Sequence, residues 1–252
     1  GKHLNDMLEF IAREYEREQF QMPLQKTSVY ATVLLVCSRA HRNKDLGLLS
    51  GAVGIGKTES LKDYQRSHSN VYLIESDPNM SETMLLNYLV ELTDANVHRS
   101  TRYSNGTRDE RRAAIIRRLK DTDSLIIVDE ADRIMNQTLE CLRRISDKAQ
   151  IGVVLAGRER LHAQLKDEMG KHGEVASRIG CWMPVIHSIT PADSMMIVKE
   201  AFSYLDKPIS ESIFDTFWQM CNGKARTLVK LIRNVTEVMD AQDYELSKTL
   251  IL

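Results

Sequence analysis

Short apolar runs alternate with amphipathic stretches along most of the chain. Four of the runs predict buried strands, at 45–50, 71–76, 124–128 and 151–156. Apolar residues at helical spacing predict helices at 28–41, at 57–66, from Ser81 onwards, at 108–120 and at 136–148. Strands that alternate with helices favour a parallel sheet with helices on both faces. We therefore predict an α/β fold for this part of the chain.

The strand pattern ends after Thr190 and Pro191, and only helical spacing follows. The helices predicted there lie at 192–205, 211–221 and 224–241, with Pro208 and Gly223 between them. A further amphipathic helix is predicted at 3–20. We expect three parts, namely an N-terminal helical extension (1–21), an α/β domain (22–189) and a small all-helical lid domain (190–252).

Composition places the chain among ordinary globular proteins. It has 252 residues, of which 42% are hydrophobic and 27% charged, and a formal net charge of −1. No apolar run is long enough to cross a bilayer, and no signal segment precedes the first helix, so we expect a cytoplasmic protein without a membrane partner. The four scattered cysteines are expected to be buried reduced thiols. Because the chain starts at Gly1 rather than Met, we expect its N-terminus to have been trimmed.

A glycine-rich loop stands between the first predicted strand and its helix. Residues 51–58 read Gly-Ala-Val-Gly-Ile-Gly-Lys-Thr, the G-x-x-x-x-G-K-T pattern. Successive N–H groups of such a loop form an anion nest at a helix N-terminus. Lys57 is expected to neutralise the β- and γ-phosphates, and the Thr58 hydroxyl to bind Mg²⁺. The predicted nucleotide-binding residues are Gly51, Ala52, Val53, Gly54, Ile55, Gly56, Lys57, Thr58 and Glu59.

An acidic pair follows the third predicted strand. The apolar run at 125–128 leads directly into Asp129 and Glu130. Asp129 is expected to reach Mg²⁺, mostly through water, and Glu130 to orient or deprotonate the attacking water. Together with the loop, this pair predicts an ATPase that uses ATP and Mg²⁺. Asp129 to Asp132 also spell the signature of the DEAD-box helicases, but those need two motor domains and this chain has room for one.

A basic segment lies between the second and third predicted strands. Eight arginines and lysines at 99–120 face only two acids, Asp109 and Glu110, within the segment. One interpretation is a solvated helix face, and the other is contact with DNA phosphates. A flexible polar loop beside the helix favours DNA, with binding that is sequence-independent and salt-sensitive. The candidate DNA-binding residues are Arg99, Arg102, Tyr103, Arg108, Arg111 and Arg112.

The loop, the Val-Asp-Glu-Ala-Asp-Arg stretch at 128–133 and the helical end resemble AAA+ ATPases. Within them the chain is similar to the regulators of DNA transposition, the family of the phage Mu B protein, TniB and TnsC. The segments at 151–157 and 23–25 add to this likeness, which covers most of residues 22–235. The resemblance implies a P-loop NTPase fold, a parallel sheet sandwiched by helices and followed by a helical lid. It also implies ATP hydrolysis and assembly on double-stranded DNA.

The resemblance assigns roles to four further residues. Arg178 matches the arginine finger that reaches a neighbouring subunit's γ-phosphate, although a surface salt bridge is the alternative. Arg226 matches the sensor-2 arginine of the lid, and the alternative is a charge on the helix surface. Gln25 lies where relatives enclose the adenine, and the alternative is an ordinary loop amide. Arg158 stands where relatives carry Asn or Thr, so it would contact the γ-phosphate or pair with Glu159, and the hydrolysis rate is open.

These expectations combine into one leading hypothesis and two alternatives. The chain would be an ATP-dependent, largely sequence-nonspecific DNA-binding ATPase that self-assembles as a ring or helical filament on target DNA and recruits or activates a transposase. Hydrolysis would be slow and stimulated by DNA or the partner. The alternatives are an ATP-binding oligomeric switch with little turnover, and a loader or initiator of DNA replication.

Overall fold

The computed structural model describes residues 22–97, 106–166, 173–205, 207–242 and 245–251. The helix predicted at 3–20 lies outside these residues. The chain divides into two compact units, one formed by 28–188 and the other by 189–251 together with 22–27. The sequence pattern assigns 22–27 to the α/β domain, whereas the structure groups this segment with the C-terminal unit.

The first unit is built on a parallel sheet of five strands in the order β2-β3-β4-β1-β5. The strands are β1 (Leu46–Ser50), β2 (Val71–Glu75), β3 (Leu125–Asp129), β4 (Gly152–Gly157) and β5 (Ile179–Trp182). The central strands β1, β3 and β4 are buried along their whole length, which is why they read as continuous apolar runs. The predicted parallel sheet is confirmed, and its first four strands lie within two residues of their expected bounds.

The fifth strand is absent from the sequence prediction. Along β5, buried and exposed residues alternate over only four positions, as expected of a short edge strand. It pairs with β1, with a register shift between Leu46 and Gly47. A side chain at Gly180 would place its Cβ 1.8 Å from Asp45 Oδ2, so this strand approaches β1 only because the position is glycine.

Helices cover both faces of the sheet. They are α1 (Ser28–Asn43), α2 (Lys57–Arg66), α3 (Glu82–Thr93), α4 (Arg108–Leu119), α5 (Asn136–Ala149), α6 (Glu159–Lys166) and α7 (Gly173–Ala176), with a 3-10 turn at Ala131–Arg133. Ile126 and Val153 pack in one core with the buried faces of α3, α4 and α5. Gly47 of β1 faces α1 instead, where an added Cβ would lie 2.8 Å from Val36. The alternation of strand side chains therefore divides the core between the two helical layers.

The second unit is helical. Its helices are α8 (Pro191–Ala201), α9 (Glu211–Cys221), α10 (Ala225–Gln242) and the unpredicted four-residue α11 (Lys248–Ile251). Thr190 and Asp193 form a capping box that starts α8, and Phe202 and Phe217 are fully buried between the helices. The predicted helical C-terminal region is confirmed. In the part of the chain that the structure describes, no helix has the length and apolarity needed to cross a membrane.

Candidate functional site

The glycine-rich loop connects the carboxyl end of β1 to the first turn of α2. Gly54 and Gly56 have φ angles of 80° and 105°, a left-handed conformation that favours glycine. An added Cβ at Gly56 would meet nothing within 4 Å, so the backbone angle rather than space requires glycine there. At Gly51 the reason is space, because a Cβ would lie 2.6 Å from the carbonyl oxygen of Ile186.

Hydrogen bonds fix the base of the loop to two neighbouring segments. The Gly51 N–H donates to the Gly157 carbonyl at 3.1 Å, and the Ala52 N–H donates to the Ile186 carbonyl at 2.8 Å. Ile55 is buried and anchors the middle of the loop, whereas Val53 is 48% exposed at its outer side. The loop is thus held at its base while its tip remains open to solvent.

Lys57 opens α2 and turns back over the loop. Its ammonium donates to the carbonyl oxygens of Gly51 and Ala52 at 2.7 and 2.8 Å, and the residue is buried. A buried cation held against backbone carbonyls is a strong electrostatic partner for an incoming phosphate, because little water screens it. Glu59, two residues further along α2, is exposed.

Thr58 and Asp129 meet across the site. The Thr58 hydroxyl donates to Asp129 Oδ2 at 2.6 Å, and Asp129 Oδ1 accepts the Glu130 N–H at 2.8 Å. A hydroxyl and a carboxylate supply the hard oxygen ligands that Mg²⁺ prefers, and this ion usually keeps several waters. Within the described ranges no group of three or more His, Cys, Asp or Glu side chains is placed to hold a metal. The pair therefore fits Mg²⁺ that is bound partly through phosphate oxygens, and does not fit an all-protein metal cage.

Glu130 is held by partners that the sequence analysis does not identify. Its backbone is left-handed, with φ 55°, and its carboxylate lies 2.5 Å from Arg133 Nη1. The Ser76 hydroxyl donates to the Glu130 carbonyl at 2.8 Å, and the Ser76 N–H donates to the Asp129 carbonyl at 3.1 Å. The i,i+3 spacing of Glu130 and Arg133 is the signal in the sequence from which this ion pair could have been predicted.

A lysine beside this edge of the sheet adds positive charge. Lys62 of α2 lies 2.8 Å from Glu75, whose position in β2 is paired with Asp129 in β3. The hydrogen bond to Glu75 raises the pKa of Lys62, and the nearby carboxylates of Glu59 and Asp129 add to the effect. The Lys62 ammonium therefore stays charged next to the carboxylate pair of the site.

The loop after β4 carries Arg158, whose side chain is exposed. Glu159 pairs with His187 at 3.0 Å, so the Arg158–Glu159 pair considered from the sequence does not form. The Arg158 N–H instead donates to Asp132 Oδ1 at 3.1 Å, and Arg160 Nε lies 2.5 Å from Asp132 Oδ2. The sequence analysis uses Asp132 only as part of a tetrapeptide pattern and does not predict this role.

Arg178 lies at the opposite end of the sheet from the glycine-rich loop. It precedes β5, and its carbonyl accepts the N–H of Leu46, the first residue of β1. The five residues of β1 separate it from Gly51, roughly 16 Å at about 3.3 Å per residue. Its side chain is 56% exposed, with Nε 3.4 Å from Asp147 Oδ1. The structure thus contains the surface ion pair and does not bring Arg178 to the loop of its own chain.

Arg226 and Gln25 belong to the second unit. Arg226 is exposed in the first turn of α10, and the Gln25 side-chain amide donates to the Pro23 carbonyl at 3.0 Å. Their assignments to the lid arginine and to the adenine pocket stay predictions.

The predicted DNA-binding arginines differ in their surroundings. Arg112, which is half-buried, pairs with Glu82 of α3 at 2.9 Å and also with Asp109. Arg111 donates to the Gly106 carbonyl at 2.7 Å. Arg108 is 59% exposed, with a longer contact of 3.4 Å to Glu82. The count of acids within the segment omits Glu82, because that residue comes from a neighbouring helix. Arg111 and Arg112 are thus engaged in contacts within their own chain.

The other arginines of this segment, together with Tyr103, fall into two groups. Arg117 and Arg118, in the last turn of α4, are exposed. Arg99, Arg102 and Tyr103 lie outside the residues that the structure describes.

The chain is similar in sequence to known DNA transposition proteins. The chain is 32% identical over 131 residues to the Mu-like prophage FluMu DNA transposition protein B of Haemophilus influenzae, covering 52% of the chain and 44% of that protein. It is 31% identical over 132 residues to the ATP-dependent target DNA activator B of Escherichia phage Mu, covering 50% of the chain and 39% of that protein. These matches therefore span less than half the length of either relative. The resemblance to AAA+ regulators of transposition is confirmed.

A solved structure of Cdc6p from Pyrobaculum aerophilum has a similar fold. Its TM-score is 0.66 at 15% identity, over 89% of this chain and 65% of that chain. A family model described as an AAA domain matches residues 39–165. These residues contain the glycine-rich loop, Asp129 and Glu130, and they make up half of the sequence, so the chain belongs to the AAA domain family.

Proposed function

We propose that the chain is an ATPase that binds ATP with Mg²⁺, assembles on double-stranded DNA and delivers that DNA to a transposase. The observation that carries the nucleotide part is the 2.6 Å hydrogen bond from Thr58 to Asp129. It joins two motifs that are 71 residues apart in sequence, at the first turn of α2. Packing of the core does not require a hydroxyl, a carboxylate and the Lys57 ammonium to lie together beside this loop. Their grouping is therefore best explained by binding of a nucleotide with a metal ion.

Each side chain of the site has a separate task. The N–H groups of the loop bind the phosphate chain, and Lys57 exchanges its loop carbonyls for phosphate oxygens. Thr58 and Asp129 would hold Mg²⁺, which would supply charge neutralisation of the phosphates. Glu130 orients the attacking water and accepts its proton, for which its carboxylate must leave Arg133.

Arg178 serves the neighbouring subunit. Its place at the far end of β1 keeps it from its own loop, and its side chain is more than half exposed. An arginine donates two parallel hydrogen bonds to phosphate, so ATP bound in one subunit would attract Arg178 of the next. Assembly is then linked to ATP binding, since ATP stabilises the state in which subunits touch.

DNA contact is assigned to the exposed arginines of α4, Arg108 first among them, and to Arg99 and Arg102 of the sequence segment before it. One subunit offers few such contacts, so tight binding requires many subunits along the duplex, in a ring or a helical filament. Phosphate contacts release counterions, and affinity should fall steeply with salt at every sequence. The relative from phage Mu is called an ATP-dependent target DNA activator, which supports the same role here.

A second candidate function is an ATP-binding switch with little turnover. The contact that favours it is the 2.5 Å ion pair between Glu130 and Arg133, which engages the residue needed to activate water. In that case the ATP-bound assembly would be the output, and hydrolysis would add little.

ATP turnover and DNA binding of the purified chain, with and without duplex DNA at low salt, test the proposal. We expect DNA binding only with ATP, and turnover that rises with DNA. Lys57→Ala should weaken ATP binding by at least about tenfold, since a charged hydrogen bond is lost. Lys230→Ala, at an exposed lysine of α10, is the matched control. An ATP-loaded protein that binds no DNA refutes the DNA part.

Glu130→Gln separates the two candidate functions. For an ATPase the amide cannot accept the proton of water, so turnover is lost and the ATP-bound assembly persists. For a switch, turnover and disassembly both match those of the unchanged protein.

A further inference from the structure

Asp132 is a buried carboxylate with both oxygens engaged. It lies in the 3-10 turn after Glu130, and its side chain has no exposed surface. Oδ1 accepts the N–H of Arg158, and Oδ2 accepts Nε of Arg160, at 3.1 and 2.5 Å. A buried charge with two such partners fixes the groups around it, because leaving either oxygen unpaired is costly.

The groups that Asp132 fixes adjoin the nucleotide site. Gly157, the last residue of β4, accepts the N–H of Gly51 at the base of the glycine-rich loop. A Cβ at Gly157 would lie 2.8 Å from Asp132 Oδ1, so the carboxylate occupies the space that a side chain would take. Because β4 lies between β3 and β1, this contact joins the turn after Asp129 to the loop.

Asp132 contacts the two arginines after β4 in different ways. Arg160 donates from its guanidinium to the carboxylate, whereas Arg158 donates only from its backbone N–H. Among the residues that the structure describes, the Arg158 side chain forms no ion pair, and Glu159 is engaged by His187. The Arg158 backbone is thus fixed, while its guanidinium stays available for a ligand. The residue follows β4 at the carboxyl end of the sheet, the end that carries the proposed phosphate site.

We propose that Asp132 is a positioning residue, which holds Arg158 so that its guanidinium binds the terminal phosphate of ATP. This inference rests on the proposed ATPase function. A backbone that is already fixed reduces the ordering cost of the phosphate contact. ADP lacks the phosphate that Arg158 reaches, so Asp132 contributes to the preference for ATP over ADP.

The test compares the dissociation constants of a non-hydrolysable ATP analogue and of ADP, both with Mg²⁺, by calorimetry on the full chain. Arg158→Ala should reduce the preference for the ATP analogue by about tenfold, the lower range for a charged hydrogen bond. Asp132→Ala should reduce it by a similar factor. The double variant should lose no more than either single one, because both act through one contact.

Further variants separate positioning from a structural role. Asp132→Asn keeps an oxygen for the Arg158 N–H, and should retain most of the preference even if Asp132→Ala does not fold. Arg160→Ala removes only the ion pair, and should lower the melting temperature without changing the preference. Equal weakening of ADP and the ATP analogue by Asp132→Ala, or additive losses in the double variant, would overturn the inference. A chain that binds neither nucleotide, or binds both independently of Lys57, refutes the proposed function instead.

Discussion

Removal of the Arg133 guanidinium should speed ATP turnover. In the structure Arg133 Nη1 lies 2.5 Å from the Glu130 carboxylate, three residues earlier in the chain. If Glu130 must accept a proton from water, each turnover requires that this ion pair open. Arg133→Ala removes the competing partner and leaves intact the hydrogen bond from the Ser76 hydroxyl to the Glu130 carbonyl.

The size of the effect follows from the exposure of the pair. The Arg133 and Glu130 side chains are 29% and 44% exposed, so solvent screens their attraction. Ion pairs of this kind contribute about 0.2–1 kcal/mol. Since 1 kcal/mol corresponds to a factor of about five in an equilibrium constant, Arg133→Ala should raise turnover by at most about fivefold.

Steady-state ATP hydrolysis at saturating ATP, with ATP affinity measured in parallel, is the assay. Arg133→Lys keeps a cation at the same spacing and should show a smaller increase. Arg144→Ala, at an exposed arginine of α5, should leave turnover unchanged. A loss of turnover in Arg133→Ala at unchanged ATP affinity would refute the reasoning, since it would make Arg133 a contributor to hydrolysis.

Four other changes test separate parts of the molecule. Thr58→Val should abolish Mg²⁺-dependent hydrolysis. It should also lower the free energy of unfolding by about 1–3 kcal/mol, because a buried Asp129 oxygen loses its donor. An unchanged melting temperature and an unchanged rate of ATP hydrolysis would contradict this. Arg178→Ala should be inactive alone and regain ATP turnover when mixed with Thr58→Val. At a boundary between the two variants, the first supplies an intact loop and the second an intact Arg178. No recovery of turnover in the mixture argues against action between subunits. Arg108→Ala should weaken DNA binding equally at all sequences and reduce the salt slope by about 0.9; a filter-binding titration showing sequence-dependent loss would exclude phosphate contact. Burial raises the pKa of Cys37 to about 12, so the free energy of unfolding should fall as pH rises from the ordinary thiol value towards 12; Cys37→Ala should show less of this fall in denaturant titrations.

Local features of the chain were predictable from the sequence. The glycine-rich loop depends on backbone angles of its own residues, such as φ 105° at Gly56, and these are encoded by the residue type. Central strands are buried on both faces, so β3 and β4 appear as continuous apolar runs. Ser81 was expected at the start of α3, and its hydroxyl accepts the Met84 N–H as a cap.

Contacts between distant segments were not predictable in the same way. The edge strand β5 buries only every second residue over four positions, too short for its alternation to stand out. Glu82 pairs with Arg112 from a helix 30 residues away, and Asp132 accepts from Arg160 across 28 residues. Sequence spacing carries no information about such pairs, since they depend on which elements the sheet order brings together.

The order and direction of the strands give the first unit two different poles. The glycine-rich loop lies at the end of the sheet where the strands finish, and Arg178 lies at the end where they begin. If Arg178 of one subunit contacts the loop of the next, the two subunits meet through different surfaces. Such head-to-tail contacts cannot close a two-fold dimer, and they produce either a cyclic ring or an open helix. In an open helix built this way, the subunit at one end has a glycine-rich loop that no neighbouring Arg178 contacts. The subunit at the other end has an Arg178 without a neighbouring loop. Subunits would therefore be added and lost at different rates at the two ends.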